Sequence, residues 1–172
     1  MGSWGVRAHE SDGGLDMLAV AVDRCLRAVN FKTFHVRHIT ELLNAYIVDK
    51  FVKESEGWDS EYIDFFYDNT YRRNFANAVK FIAECIEEYR CNGKYDIYDS
   101  KTDEYHQVTD FIITRKDLET LRSELQSTLE PDHILYDAWN QDSETLSEWL
   151  AHTQSLCEML SQAITEGGGS DA

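Results

Sequence analysis

Residues 74–93 read NFANAVKFIAECIEEYRCNG. Phe75, Ala78, Val79, Ile82, Ala83, Ile86 and Tyr89 recur at three- and four-residue spacing, which is the pattern of one apolar helix face. Asn74 can cap this helix, and Asn92-Gly93 ends it, glycine being the residue that most readily takes a left-handed conformation. Glu84, Glu87 and Glu88 fall on its outer side. This is the clearest helix in the chain, and the fold class is read outward from it.

Before it, Ile39, Leu42, Leu43, Tyr46, Ile47 and Phe51 form a second stripe, and Leu15, Leu18, Val22, Leu26 and Val29 a third, with Ser11 or Asp12 as its cap. Between these two, FKTFHVR (31–37) is aromatic and β-branched and suits a short strand. After residue 93 the pattern changes. YDIYD and YHQVTDFIIT flank the turn-like SKTDE, which predicts one small hairpin near 94–113. Thr114 with Asp117 makes a capping box for a helix carrying Leu118, Leu121, Leu125 and Leu129, closed by Pro131. HILYDAWNQ (133–141) is a short connector whose Trp139 is expected to plug the core. Asp142 or Ser143 caps a last helix with Leu146, Trp149, Leu150, Thr153, Cys157, Leu160 and Ile164 on its apolar side. The expected fold is mostly α, an α+β bundle by strict count: about six helices and one hairpin in a single domain over 1–165. EGGGSDA (166–172) reads as a disordered tail. No repeat is visible.

The 172 residues carry 42% hydrophobic side chains and 21 aromatics, enough to bury a core. They also carry 32 acids against 16 bases. The imbalance is uneven. Residues 1–53 hold seven bases and six acids, whereas 54–172 hold nine bases and 26 acids, and no Lys or Arg follows Arg122. A field of this sign repels nucleic acid and anionic membranes and attracts basic proteins. The plainer reading is a well-solvated surface.

The acids thicken in ESEGWDSEYIDFFYDNTY (54–71), where Glu54, Glu56, Asp59, Glu61, Asp64 and Asp68 alternate with Trp58, Tyr62, Phe65, Phe66, Tyr67 and Tyr71. Gly57 separates it from the preceding helix. On a helix Glu61, Asp64 and Asp68 share one face, roughly 5–6 Å apart, near the spacing of phosphates on a strand. The expected partner-binding residues are therefore Glu54, Glu56, Trp58, Asp59, Glu61, Tyr62, Asp64 and Asp68, with the carboxylates standing in for phosphates and Trp58 and Tyr62 for bases. Neutralisation within the fold by Arg72, Arg73 or Lys80 is the competing reading.

Residues 1–5, Met-Gly-Ser-Trp-Gly, suggest a tight backbone passage with its indole docked in the core. With Glu-Ser-Asp (10–12) and Gly-Leu-Asp (14–16), they resemble the opening of an uncharacterised bacterial family found in Firmicutes and their mobile elements. Its members begin Met-Gly-x-Trp-Gly before an acidic helix start. The resemblance covers about the first 20 residues. It implies a small bacterial cytosolic protein and lends no activity and no catalytic residue.

Chemical motifs are weak throughout. His35 and His38 stand three apart but lack a third ligand at a diagnostic offset. Asp99, Lys101 and Asp103 alternate like a calcium loop, yet Lys101 and the missing glycine spoil the pattern. Gly13-Gly14 has no preceding strand to make a phosphate loop. Cys25, Cys85 and Cys157 fall on or beside apolar helix faces, as buried thiols do, and Cys91 at a helix C-terminus lies where the dipole disfavours a thiolate. No apolar leader and no run long enough to span a bilayer is seen, so the chain reads as cytoplasmic with reduced thiols. The expectation is a non-enzymatic module with no cofactor and no metal, binding a basic protein and neither nucleic acid nor membrane. Its sharpest form is a nucleic-acid mimic that inhibits a nuclease, of the anti-restriction or anti-CRISPR type. The alternatives are an immunity protein against a cationic toxin and an enzyme with an acid-base or metal site near His35 and His38.

Overall fold

The computed structural model describes residues 6–10, 12–58, 63, 67–140 and 143–167. Six α-helices are found among them: α1 (Asp12–Ala21), α2 (Val36–Glu54), α3 (Arg73–Asn92), α4 (Arg115–Thr128), α5 (Ile134–Trp139) and α6 (Ser143–Glu166). Four short strands accompany them: β1 (Thr33–His35), β2 (Tyr95–Asp99), β3 (Glu104–Val108) and β4 (Asp110–Ile112). The fold is mostly α, α+β by strict count. No helix among the described residues is long and apolar enough to cross a membrane.

α3 is the axis, packed by α1, α2, α4 and α6. Nine residues in a row, Ala78 to Ile86, are buried, so it is covered all round at its middle and not along one stripe. It ends as its sequence predicts: Gly93 takes φ 68° and donates its N–H to the Tyr89 carbonyl at 2.7 Å. Its start differs. The chain enters from a π-helical turn, Tyr67–Arg72, and Arg72 is already helical, so Asn74 caps nothing.

The stripe predicted for α1 drifts for a related reason. α1 runs straight into a π turn (Val22–Leu26) and then a 3-10 turn (Arg27–Val29). A wider turn shifts the register of the residues after it, which accounts for Val29 but not for Leu15, which precedes it. Met17, Ala21, Val22, Cys25 and Leu26 are buried, while Leu15 and Val29, predicted inside, are exposed. Gly14 lies within α1, not in a phosphate loop. A Cβ there would sit 1.9 Å from the Ala8 carbonyl oxygen, so only glycine admits the segment that crosses it.

The hairpin forms with Tyr95 opposite Val108 and Asp99 opposite Glu104. Its second predicted strand breaks at Thr109. Beyond that point β4 leaves the hairpin and pairs in parallel with β1, Phe34 opposite Phe111. The Lys32 carbonyl takes both the Thr109 and Asp110 N–H groups at 3.1 Å and fixes the switch. The Phe34 and Phe111 rings stack at 4.7 Å. α4 opens on the predicted capping box: Thr114 Oγ1 accepts from the Asp117 N–H at 3.2 Å, and Asp117 Oδ2 accepts from the Thr114 N–H at 2.9 Å. Leu118, Leu121 and Leu125 of α4 face Leu156, Leu160 and Ala163 of α6 in the main core. Trp139 is half-buried and joins a smaller cluster with Leu135 and Trp149, its ring 6.2 Å from that of Trp149. Cys25, Cys85 and Cys157 are buried and Cys91 is exposed. Glu166, placed by the sequence in the tail, closes α6 and meets Arg90 at 2.6 Å.

Candidate functional site

Of the residues predicted to bind a partner, Asp59, Glu61, Tyr62 and Asp64 lie outside the described residues, as do the side chains of Glu54 and Asp68. Glu54 closes α2 and Asp68 belongs to the π turn before α3. Glu56 is exposed, and Trp58 is half-buried with its N–H on the Ser55 carbonyl at 3.1 Å. Lys80 does not neutralise this stretch. It is buried, and its ammonium donates inward to the Val6 carbonyl. Burial, partly offset by Glu84, pushes its pKa down to about 8.

The aromatic end of the stretch is well defined. Phe51, Tyr67, Tyr71 and Phe75 form a ladder, with Phe51 edge-on to Tyr67 at 5.8 Å, Tyr67 stacked on Tyr71 at 4.9 Å, and Tyr71 parallel to Phe75 at 6.1 Å. Helical i, i+4 spacing places the last three side by side. Tyr71 donates to Asn44 Oδ1 at 2.7 Å, and its pKa is raised by burial and then by Tyr67 and Glu124. Tyr67 remains 45% exposed. The ladder forms one wall of a groove of about 480 Å³. The opposite wall is the end of α4, with Glu124, Ser127 and Thr128, and then His133, whose Nδ1 accepts the Leu135 N–H at 3.1 Å. Burial and Arg72 hold His133 below its ordinary pKa.

Beyond the groove the surface turns anionic. Several carboxylates elsewhere are matched locally, Asp23 by Arg27 and Lys101, Asp99 by Arg27, Asp117 by Arg37, Asp49 by Lys53, Asp96 by Lys94 and Glu119 by Arg115, while the exposed and scattered Asp16, Glu41 and Glu56 have no ion pair among the described residues. Glu130, Asp132, Asp137, Glu144, Glu148 and Glu158 are exposed and have no ion pair among the described residues. At about 100° per residue, Glu144, Glu148, Glu158 and Glu166 lie within an arc of about 80° on α6, spread over about 33 Å of its length. α5 packs on α6 and against the end of α4, which brings Asp132 and Asp137 to the same end of the bundle. The sequence reading missed this row by fixing on the denser stretch at 54–68. Its signal was the absence of Lys and Arg after Arg122 combined with the α6 period.

A second set of charges was misplaced. Glu84, expected outside, is buried. Its carboxylate accepts the Ala8 N–H at 3.0 and 2.9 Å and meets His152 Nε2 at 2.8 Å. The small residues Ala76 and Ala83 on this side of α3 were the available sign that another segment approaches closely.

The His35 imidazole caps α2, Nδ1 accepting the His38 N–H at 3.4 Å. No group of three metal-ligating side chains converges among the described residues. The carboxylates of the supposed calcium loop are engaged, Asp99 by Arg27 at 2.8 Å and the Lys101 N–H at 2.9 Å, Asp103 by the Tyr98 hydroxyl at 2.6 Å.

Comparison with protein-family models, curated proteins and solved structures gives no match. The function is therefore argued from the groove and the acidic row alone. Of the residues that carry the resemblance to a bacterial family (1–5, 10–12 and 14–16), the opening five and Ser11 lie outside the described residues.

Proposed function

We propose that the protein is a non-catalytic interaction module whose acidic end, α5 and the outer face of α6, docks on a cationic surface of another protein. One observation carries the reading: Glu144, Glu148 and Glu158 line one exposed helix face, and no Lys or Arg occurs in the last fifty residues. Carboxylates repelling one another along a helix cost a few tenths of a kcal/mol per pair, which a partner's cations would recover on binding. The neighbouring ladder supports the sharper form, occupation of a nucleic-acid-binding channel. Tyr67 and Tyr71 offer stacked ring faces where bases would lie, and the acids offer charge where phosphates would lie. This moves the proposed contact from Trp58 and Tyr62 toward Tyr67, Tyr71 and α6. Four free cysteines, three of them buried, fit action in a reducing compartment.

The test is capture from an extract of the source cell on immobilised protein, with identification of what is held. The reading expects a basic protein that elutes as salt is raised and that added duplex DNA displaces. Capture of neutral or acidic proteins, insensitive to salt, would remove it. Salt-sensitive capture that DNA leaves unchanged would keep the docking role and discard the mimicry.

A further inference from the structure

The groove beside the aromatic ladder holds a donor and an acceptor that the fold does not use. His133 lines this groove and is only 6% exposed. Its Nδ1 accepts the Leu135 N–H at 3.1 Å, so the neutral ring carries its proton on Nε2. Burial and the nearby Arg72 lower its pKa and favour that neutral form. The Nε2–H meets no acceptor among the described residues. A buried donor left without an acceptor is costly unless something outside the chain supplies one.

Glu124 stands on the same wall. Its backbone carbonyl takes the Ser127 hydroxyl at 2.7 Å, but its carboxylate has no hydrogen bond or ion pair among the described residues. Thr128 donates to the Leu125 carbonyl at 2.7 Å. Both hydroxyl protons of this wall are thus spent inward, and the imidazole N–H is the donor left to it. Arg72 and Glu124 give the lining opposite formal charges that cancel, in a chain of net charge −16. A neutral occupant suits such a lining better than an ion does. Across the groove run the rings of Tyr67, Tyr71 and Phe75. Aromatic side chains against the ring, with a few hydrogen-bonding groups at its edge, are how proteins hold unpaired bases. The volume of about 480 Å³ is that of an ordinary small-ligand site.

We infer that this groove binds a neutral purine of the guanine kind, its ring against Tyr67 and Tyr71, its N1–H and exocyclic amine on the Glu124 carboxylate and its O6 on the His133 Nε2–H. The carboxylate calls for donors and the imidazole N–H for an acceptor. Among the common bases, guanine sets two donors beside a carbonyl on one edge. The groove shares Tyr67 and Tyr71 with the proposed docking surface. Its occupancy is measured on the purified protein with no partner present, so failure here leaves the docking untouched, and the reverse.

The probes are guanosine, 1-methylguanosine, adenosine and a short single strand ending in guanosine, followed by calorimetry and by amide shifts. Guanosine is expected to bind with one-to-one stoichiometry and to shift amides at 67–76, 124–128 and 133–135. 1-Methylguanosine cannot donate from N1 and adenosine has no carbonyl on its base, so each should bind at least about tenfold more weakly. The strand should also bind at least about tenfold more weakly at low salt, because its phosphates meet a net charge of −16. Glu124→Gln should weaken guanosine about tenfold by removing a charged acceptor, and since that carboxylate has no partner in the fold the domain stays intact. His133→Asn keeps an oxygen to cap α5 while withdrawing the Nε2–H, and should weaken guanosine about fivefold. No binding of guanosine, equal binding of the three nucleosides, binding of the strand as tight as that of guanosine, shifts outside the groove, or indifference to both substitutions would overturn the assignment.

Discussion

α3 and α6 both carry charges at helical spacing and use them in opposite ways. On α3, Lys80 and Glu84 stand four apart and are both buried, each meeting a partner from the N-terminal segment: the Val6 carbonyl for one, the Ala8 N–H for the other. On α6, Glu144, Glu148 and Glu158 face solvent and pair with no cation among the described residues. The first set is consumed in holding the molecule together. The second stays exposed, and in the proposed reading it serves a partner. Formal charge in a sequence therefore does not equal charge available to a partner, and the difference lies in whether another segment crosses the helix at that point.

The largest expected effect comes from breaking the inward set. Glu84→Ala leaves the Ala8 N–H and His152 without their acceptor in a buried site, and should cost about 3 kcal/mol or more in urea unfolding. A cost below about 0.5 kcal/mol, typical of a surface change, would erase the contrast between the helices.

Lys80 sharpens the same contrast through pH. Its folded pKa, pushed down to about 8 by burial, lies below the ordinary 10.5 of the unfolded chain. Between these values the unfolded state holds this proton more tightly, so the contribution of Lys80 to stability rises with pH across that window and its penalty is complete below it. The gain should approach about 3 kcal/mol. Above about pH 9 the thiols of Cys25, Cys85 and Cys157, their pKa raised by burial, pull stability down, so the share of Lys80 is read as the difference between the parent and Lys80→Met. A difference that stays flat across the window would contradict the titration of Lys80.

Smaller effects belong to the helix ends. Thr114→Ala breaks the capping box of α4 and should cost about 1 kcal/mol. Asp117 is desolvated, which raises its pKa, but the Thr114 hydroxyl and amide and Arg37 outweigh that and hold it below the usual carboxylate value. This stabilisation is complete above the ordinary carboxylate range and is lost as pH falls through the lowered value. Thr114→Ala should therefore reduce the acid sensitivity of unfolding as well as its midpoint. The smallest effect on stability is expected on α6, where Glu144→Lys, Glu148→Lys and Glu158→Lys should each stay within about 0.5 kcal/mol.

How far these features were legible follows from how local their causes are. Gly93 and the Thr114–Asp117 box were read correctly because their hydrogen bonds close within a few residues. The β2–β3 hairpin was legible for the same reason. The parallel pairing of β1 with β4 joins residues 33–35 to 110–112. No neighbouring residue signals it, so β4 was read as the continuation of the hairpin. In the first stripe Val22 and Leu26 are buried as read, whereas Val29 is exposed because a π turn is invisible to a fixed period of 3.6. Glu84 failed because a buried acid on a helix flank looks like a solvated one until the segment at Ala8 is placed against it. The candidate site was legible only as a surplus of charge. Which acids find an Arg or Lys across the fold is not written in the local sequence, so the row on α6 was passed over for the denser stretch at 54–68, most of whose side chains lie outside the described residues.

The most direct measurement compares two triple variants of equal net charge for binding to the captured basic partner. One reverses Glu144, Glu148 and Glu158 to Lys, and the other reverses Glu41, Asp96 and Glu104. If the outer face of α6 is the docking surface, the first loses binding by at least about a hundredfold while the second stays within a few-fold of the parent at physiological salt. Equal loss in the two would mean that only overall charge is felt, and would contradict the assignment of α6.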